Sequence, residues 1–150
     1  MRTWLESWTL VTLSLLLGLL YNQLSPVPLP VLGPVEFEAG LGALSVEQVR
    51  SYLGLRKAVP VDARAHTAFL DAHLPGAGSL PSVEFEAYAK QLSVVPKSTM
   101  LIVYCDDRSC GAEQRVARRL THLGYYNVYT MPDGIRGWMA RGYPVERGQP

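Results

Sequence analysis

The chain has two cysteines, Cys105 and Cys110, and both lie in one short loop. The apolar run Met100-Leu101-Ile102-Val103-Tyr104 stops at Cys105. After Asp106-Asp107-Arg108-Ser109-Cys110-Gly111-Ala112 a helical pattern takes over from Gln114. A thiol is therefore expected at the carboxyl end of a buried strand, in a turn that feeds a helix N-terminus. Backbone N–H groups of such a turn, with those of the following helix, converge on anions. The same field favours thiolate, the nucleophilic form of cysteine. A bridge between the two thiols would close only a tiny loop and constrain little unfolded-chain entropy, so its meaning would be functional rather than structural.

Composition removes several classes. Lys+Arg number 14 and Asp+Glu 13, a formal net charge of +1 with no basic run, so no field points to nucleic acid. Two cysteines cannot build the disulfide framework of a small secreted fold. A C-x4-C pair without spaced His or Cys partners lacks the ligand set of a zinc site, so no metal is expected. A chain of 150 residues supports one core of ordinary size.

The amino terminus is a different kind of sequence. Residues 8–21 are uncharged and largely apolar, with Trp4 and Leu5 before them and Leu24 after. A full membrane span needs about 20 apolar residues, so the run is borderline in length. Trp4, Trp8 and Tyr21 stand where interfacial aromatics would anchor the two ends, and no small-x-small cleavage site follows. Leu13, Leu15, Leu16, Leu17, Leu19 and Leu20 cover every face of a helix, unlike the single stripe of an amphipathic core helix. Residues 1–24 are therefore read as an uncleaved signal-anchor helix, with a cleaved signal as the alternative. Arg2 and the amino group precede the run and the next basic residue is Arg50. That asymmetry keeps the amino terminus in the cytoplasm and sends the globular part across the membrane, into the periplasm if the source is bacterial. Residues 25–44 carry Pro26, Pro28, Pro30 and Pro34 and read as an extended linker, leaving residues 45–150 for the folded domain.

Ser45-Val46-Glu47-Gln48 matches a capping box, and Val46, Val49 and Leu53 share a helical face. A short strand over residues 58–61 ends at Asp62, a helical turn covers 67–70, and a second strand covers 78–80. Ser82 is expected to cap a helix bearing Phe85, Tyr88 and Leu92, and residues 100–104 form the central strand. Ala112, Val116, Leu120 and Leu123 recur on one helical face, followed by a strand over 126–129 and a helix over 135–141. This alternation predicts an α/β fold with a mostly parallel central sheet and helices on both faces. Ligands of such sheets bind at the carboxyl ends of the strands, where Asp62 and Cys105 fall.

Five fragments carry a family resemblance. Asp62-Ala63-Arg64, His73-Leu74-Pro75-Gly76-Ala77, Tyr104-Cys105, Asp133-Gly134-Ile135-Arg136-Gly137-Trp138 and Gly142-Tyr143-Pro144-Val145-Glu146 resemble, in this order and spacing, the signatures of single-domain rhodaneses. The resemblance spans residues 46–146 and implies a rhodanese-like fold with sulfurtransferase activity and no cofactor. In that family the cysteine at the place of Cys105 takes a sulfane sulfur from a donor such as thiosulfate and holds it as a persulfide. It then passes the sulfur to a thiol or cyanide acceptor. A glycine often stands there in place of Arg108, and a small hydroxyl residue in place of Gly111.

Asp106, Asp107, Arg108, Ser109, Cys110 and Gly111 are accordingly the substrate-binding candidates. Their amides, aimed inward, would stabilise a persulfide's charge, and Arg108 adds a cation for an anionic donor. Cys110 is the candidate resolving thiol. Asp62 and Arg64 are expected to fix the first strand end and its turn, and His73 to be a hydrogen-bonded scaffold residue. His66 and His122 are expected at the surface. Two other classes stay open: a thiol–disulfide redox or sensing module using Cys105 and Cys110, and a catalytically silent binding module beside a membrane protein partner. A cysteine phosphatase fits less well, because its C-x5-R loop needs an arginine where Gly111 stands.

Overall fold

Described in the computed structural model are residues 8, 11–14, 16–18, 20, 21 and 41–149. The chain divides into two units, Met1–Phe37 and Glu38–Pro150. In the first, all the described residues are helical and exposed. Trp4, Leu5, Leu15, Leu19, Leu24 and the proline series lie outside the described residues. Among the described residues no helix is long and apolar enough to cross a membrane.

The second unit runs β1 (Gly42–Ala43), α1 (Val46–Gly54), β2 (Ala58–Asp62), α2 (His66–Asp71), β3 (Gly78–Ser79) and α3 (Phe85–Ala89), which continues as a 3-10 turn (Lys90–Val94). It then runs β4 (Met100–Tyr104), α4 (Ala112–His122), β5 (Val128–Met131) and α5 (Gly134–Ala140). The strands lie in the order β1-β5-β4-β2-β3, every pair parallel. Asp62 is in register with Tyr104, and Tyr104 with Met131, so β2, β4 and β5 end at one level.

Local chemistry explains the placement. Gln48 N–H donates to the Ser45 hydroxyl oxygen (3.3 Å) and Ser45 N–H to the Gln48 side-chain oxygen (2.8 Å), which satisfies two orphan donors at the start of α1. In β4, Leu101 to Tyr104 are all buried, so both faces of the strand need cover. Leu101, Val103 and Cys105 pack with Val116, Ala117 and Leu120 of α4. Ile102 and Tyr104 pack on the other side with Val46 and Val49 of α1 and Ile135 and Trp138 of α5. Cys105 is thereby delivered on the α4 side.

Several expectations need correction. β1 precedes Ser45 and forms a sheet edge by pairing with β5, although two residues carry no strand pattern. The last strand begins at Val128 rather than at residue 126. Leu101 N–H bonds the Asn127 carbonyl (2.9 Å) and Tyr126 is exposed, so pairing and burial outweigh the strand preference of Tyr126. Ser82 caps nothing: α3 starts from Glu84 without a side-chain cap, and the Ser82 hydroxyl and carbonyl accept from Arg115 and Arg119. Leu123 follows α4 as an exposed cap residue. His66 is half-buried rather than superficial, its Nδ1 3.0 Å from the Ser79 hydroxyl.

Candidate active site

Cys105 leaves β4 with its backbone held from outside the loop. The Cys105 and Asp106 carbonyls accept from the N–H groups of Ile135 (2.9 Å) and Arg136 (3.0 Å) in the first turn of α5. This requires backbone against backbone, and Gly134, at φ +58°, supplies it. The loop closes at Gly111, whose left-handed φ of +65° turns the chain into α4.

Cys105 is 1% exposed and joined to Cys110 as a disulfide, with Cα atoms 6.2 Å apart, well inside bridging range. The sequence left that pairing open. Asp107 organises the span between the sulfurs. Its carboxylate accepts from the Ser109 hydroxyl (2.6 Å) and N–H (2.9 Å), and its carbonyl from Cys110 N–H (3.2 Å). The Ser109 hydroxyl, then the Ser109 amide, and beyond them the Arg136 charge hold Asp107 below the usual carboxylate range. The amides of Ser109 and Cys110, expected to face an anion, are thus spent inside the loop in this disulfide form.

The other loop residues bond outward. Asp106 pairs with Arg64 (3.4 Å) and Arg108 with Asp133 (2.8 Å), the Arg108 side chain largely exposed. An exposed pair such as Arg108 with Asp133 contributes little stability. Asp107, Arg108, Ser109, Asp133, Arg136 and Arg141 border an open cleft of about 620 Å³ beside the loop. Its rim carries the three guanidinium groups of Arg108, Arg136 and Arg141.

Below the loop lies a buried polar anchor. Asp62 is 0% exposed and takes a forked contact from Arg64, Nε to Oδ1 at 3.0 Å and a terminal nitrogen to Oδ2 at 2.7 Å. The same guanidinium donates to the Ala72 carbonyl (2.5 Å) and reaches Asp106. Burial lowers the Arg64 pKa, but the hydrogen bonds and charge of Asp62 outweigh it and the net shift is upward. Tyr104 adds its hydroxyl, which accepts from Leu74 N–H (3.1 Å). Burial first, and the adjacent Asp62 second, push its phenol above the ordinary value. His73 is buried, Nδ1 2.8 Å from the Phe69 carbonyl oxygen and its ring stacked on Phe69 at 3.9 Å. These contacts are those of a scaffold residue. His122 is exposed.

One residue of the site was missed. Glu113 is 3% exposed and a carboxylate oxygen of it lies within 4.8 Å of both sulfurs. Its position carried a signal, since residues 113, 116, 117 and 120 fall on one helical face and the other three are core residues.

Residues 45–141 match the rhodanese-like domain. The chain belongs to the rhodanese-like family. Among rhodanese-like relatives, the thiosulfate sulfurtransferase GlpE of Tolumonas auensis is 30% identical over 95 residues, covering 63% of this chain and 85% of that protein. A crystal structure of a thiosulfate sulfurtransferase from Pseudomonas aeruginosa shares 31% identity at a TM-score of 0.59, over 77% of this chain but 22% of that longer one. A Bacillus halodurans protein reaches a TM-score of 0.65 at 22% identity, over 71% of this chain and 77% of its own, and shows the fold alone.

Proposed function

We propose that the chain is a rhodanese-type sulfurtransferase that carries sulfane sulfur as a persulfide on Cys105, with Cys110 as an internal acceptor. The observation that carries this reading is the Cys105–Cys110 pair at the carboxyl end of β4, against the start of α4. In the dithiol state the Cys105 thiolate attacks the outer sulfur of a thiosulfate-like donor. The donor's S–S bond breaks and sulfite departs with its electron pair. The persulfide's negative charge sits at the α4 N-terminus, where the helix dipole favours an anion.

Two discharges are then open. Cyanide or an external thiol attacks the outer sulfur and restores the Cys105 thiolate. Alternatively the Cys110 sulfur attacks Cys105 Sγ while its thiol proton passes to the departing outer sulfur, so that hydrosulfide leaves and the Cys105–Cys110 disulfide remains, which a dithiol reductant reopens while being oxidised to its own disulfide. The disulfide also favours a second reading, a thiol–disulfide module without sulfur transfer.

The apolar segment over residues 8–21 would anchor this activity in a membrane, with the domain on the extracytoplasmic side, and a reductant or other partner would reach the loop there. Such a compartment lets a disulfide persist. The test is thiocyanate release from thiosulfate and cyanide by the reduced full-length chain. Turnover by the wild type and none by Cys105→Ser supports sulfur transfer. Turnover retained in Cys105→Ser removes Cys105 from the chemistry, and a wild type that cycles its disulfide without turnover leaves the redox module.

A further inference from the structure

We infer that the dithiol form of this loop binds one thiophilic divalent cation of the zinc class through Cys105, Cys110 and Glu113, and that the disulfide closes this site. The inference stands on donor geometry and holds whether or not the loop transfers sulfur.

The two sulfurs and a Glu113 carboxylate oxygen all lie within 4.8 Å of one another. A tetrahedral zinc ion, with Zn–S of about 2.3 Å and Zn–O of about 2.1 Å, sets its donors roughly 3.5–3.8 Å apart. Cleaving the disulfide lets the sulfurs part by that amount, and Cα atoms 6.2 Å apart can hold them there. The C-x4-C spacing lacks spaced His or Cys partners. The fold adds a carboxylate in their place, from the second residue of α4, a helix fixed by Val116, Ala117 and Leu120 in the core.

Glu113 supplies the independent sign. Its Oε2 is fully buried with no hydrogen-bond partner. A buried unsatisfied oxygen costs on the order of 1–3 kcal/mol, and such groups are few in native proteins. The bordering arginines are bonded elsewhere: Arg64 to Asp62 and Asp106, Arg108 to Asp133, Arg136 to Asp107 and Arg115 to Ser82. A cation between the thiolates gives the buried Glu113 carboxylate a positively charged partner.

The donor set selects the ion. Thiolates exclude magnesium and calcium, which take oxygen ligands, whereas zinc accepts sulfur and carboxylate together. Three protein ligands leave a fourth position open to water or an anion. A dithiol reductant gives two electrons and two protons to the disulfide, and the two thiols lose those protons to solvent as the ion binds. Metal and sulfane sulfur compete for the Cys105 lone pairs, so a loaded ion blocks sulfur uptake.

The test is zinc titration of the full-length chain, reduced with a dithiol reductant and freed of it without air, against a chromophoric chelator. One equivalent should bind the reduced wild type and none the disulfide form. Glu113→Gln should weaken binding by more than the roughly tenfold lost when only an outer-shell partner is removed. Absence of stoichiometric binding to the reduced wild type, or equal affinity in Glu113→Gln, overturns the site. Should Glu113→Gln fail to fold by circular dichroism, the wild-type cobalt complex decides. Intense tetrahedral bands with thiolate charge transfer support the site, and a weak octahedral spectrum overturns it.

Discussion

Gly134 packs its bare Cα against the backbone of Cys105, so closely that a β-carbon would lie 2.5 Å from the Cys105 carbonyl oxygen and closer still to that of Asp106. The contact lets the first amides of α5 hold both carbonyls and sets the direction in which the chain leaves β4. The position of Cys105 is therefore held by a helix that begins about thirty residues later in the sequence.

Gly134→Ala should be costly on two counts, the left-handed φ of +58° and the overlap. Roughly 2–4 kcal/mol of stability should be lost, with sulfur transfer falling further than at a surface control. Denaturant unfolding checks it, and a variant as stable as the wild type would show that the helix start yields at no cost.

Arg64→Met removes the partner of a fully buried Asp62. Breaking such a pair from one side costs about 3–5 kcal/mol, because the remaining charge stays buried and uncompensated. Arg64→Lys should fall between, since a point charge cannot replace the forked contact. Unfolding midpoints of the three proteins give the order.

Tyr104 couples that anchor to alkaline stability. Its phenol is pushed above the ordinary value of 10.0 in the folded chain. The raised pKa means that stability is full below about pH 10 and falls above it, where only the unfolded chain releases this proton. In absorbance titration the tyrosine signal released only on unfolding should be smaller by one tyrosine in Tyr104→Phe than in the wild type. That variant also strands Leu74 N–H, for a loss of about 1–3 kcal/mol at neutral pH.

How far the sequence reveals this site depends on what kind of signal each residue carries. The capping pair Ser45 and Gln48 and the run from Met100 to Tyr104 are local signals, and each marks its element within a residue or two. β1 and the start of β5 are set by partners elsewhere in the chain, Gly42 against Tyr129 and Leu101 against Val128, which no local pattern encodes. Cys105 was legible from its place at a strand end. The pairing of the Ser109 and Cys110 amides with Asp107 in the disulfide form was not legible, because it depends on how the loop folds on itself. Glu113 escaped notice because a glutamate in the first turn of a helix reads as a favourable charge at the dipole, and only its shared face with Val116 and Leu120 marks it as buried.

If residues 8–21 anchor the chain, full-length protein should sediment with membranes and resist extraction by high salt or alkali. A chain beginning at Val35 should remain in the supernatant. Recovery of a mature chain starting after Leu24 would show a cleaved signal instead.

The most direct measurement is the intact mass of reduced Cys110→Ala after exposure to thiosulfate. With the internal acceptor removed, Cys105 should retain the mass of one added sulfur atom, lose it to cyanide, and keep it longer than the wild type, which should pass on to the disulfide and a loss of two hydrogens. Cys105→Ser should show no adduct. An unchanged mass in Cys110→Ala, with the protein folded and its thiol free, would contradict a persulfide on Cys105.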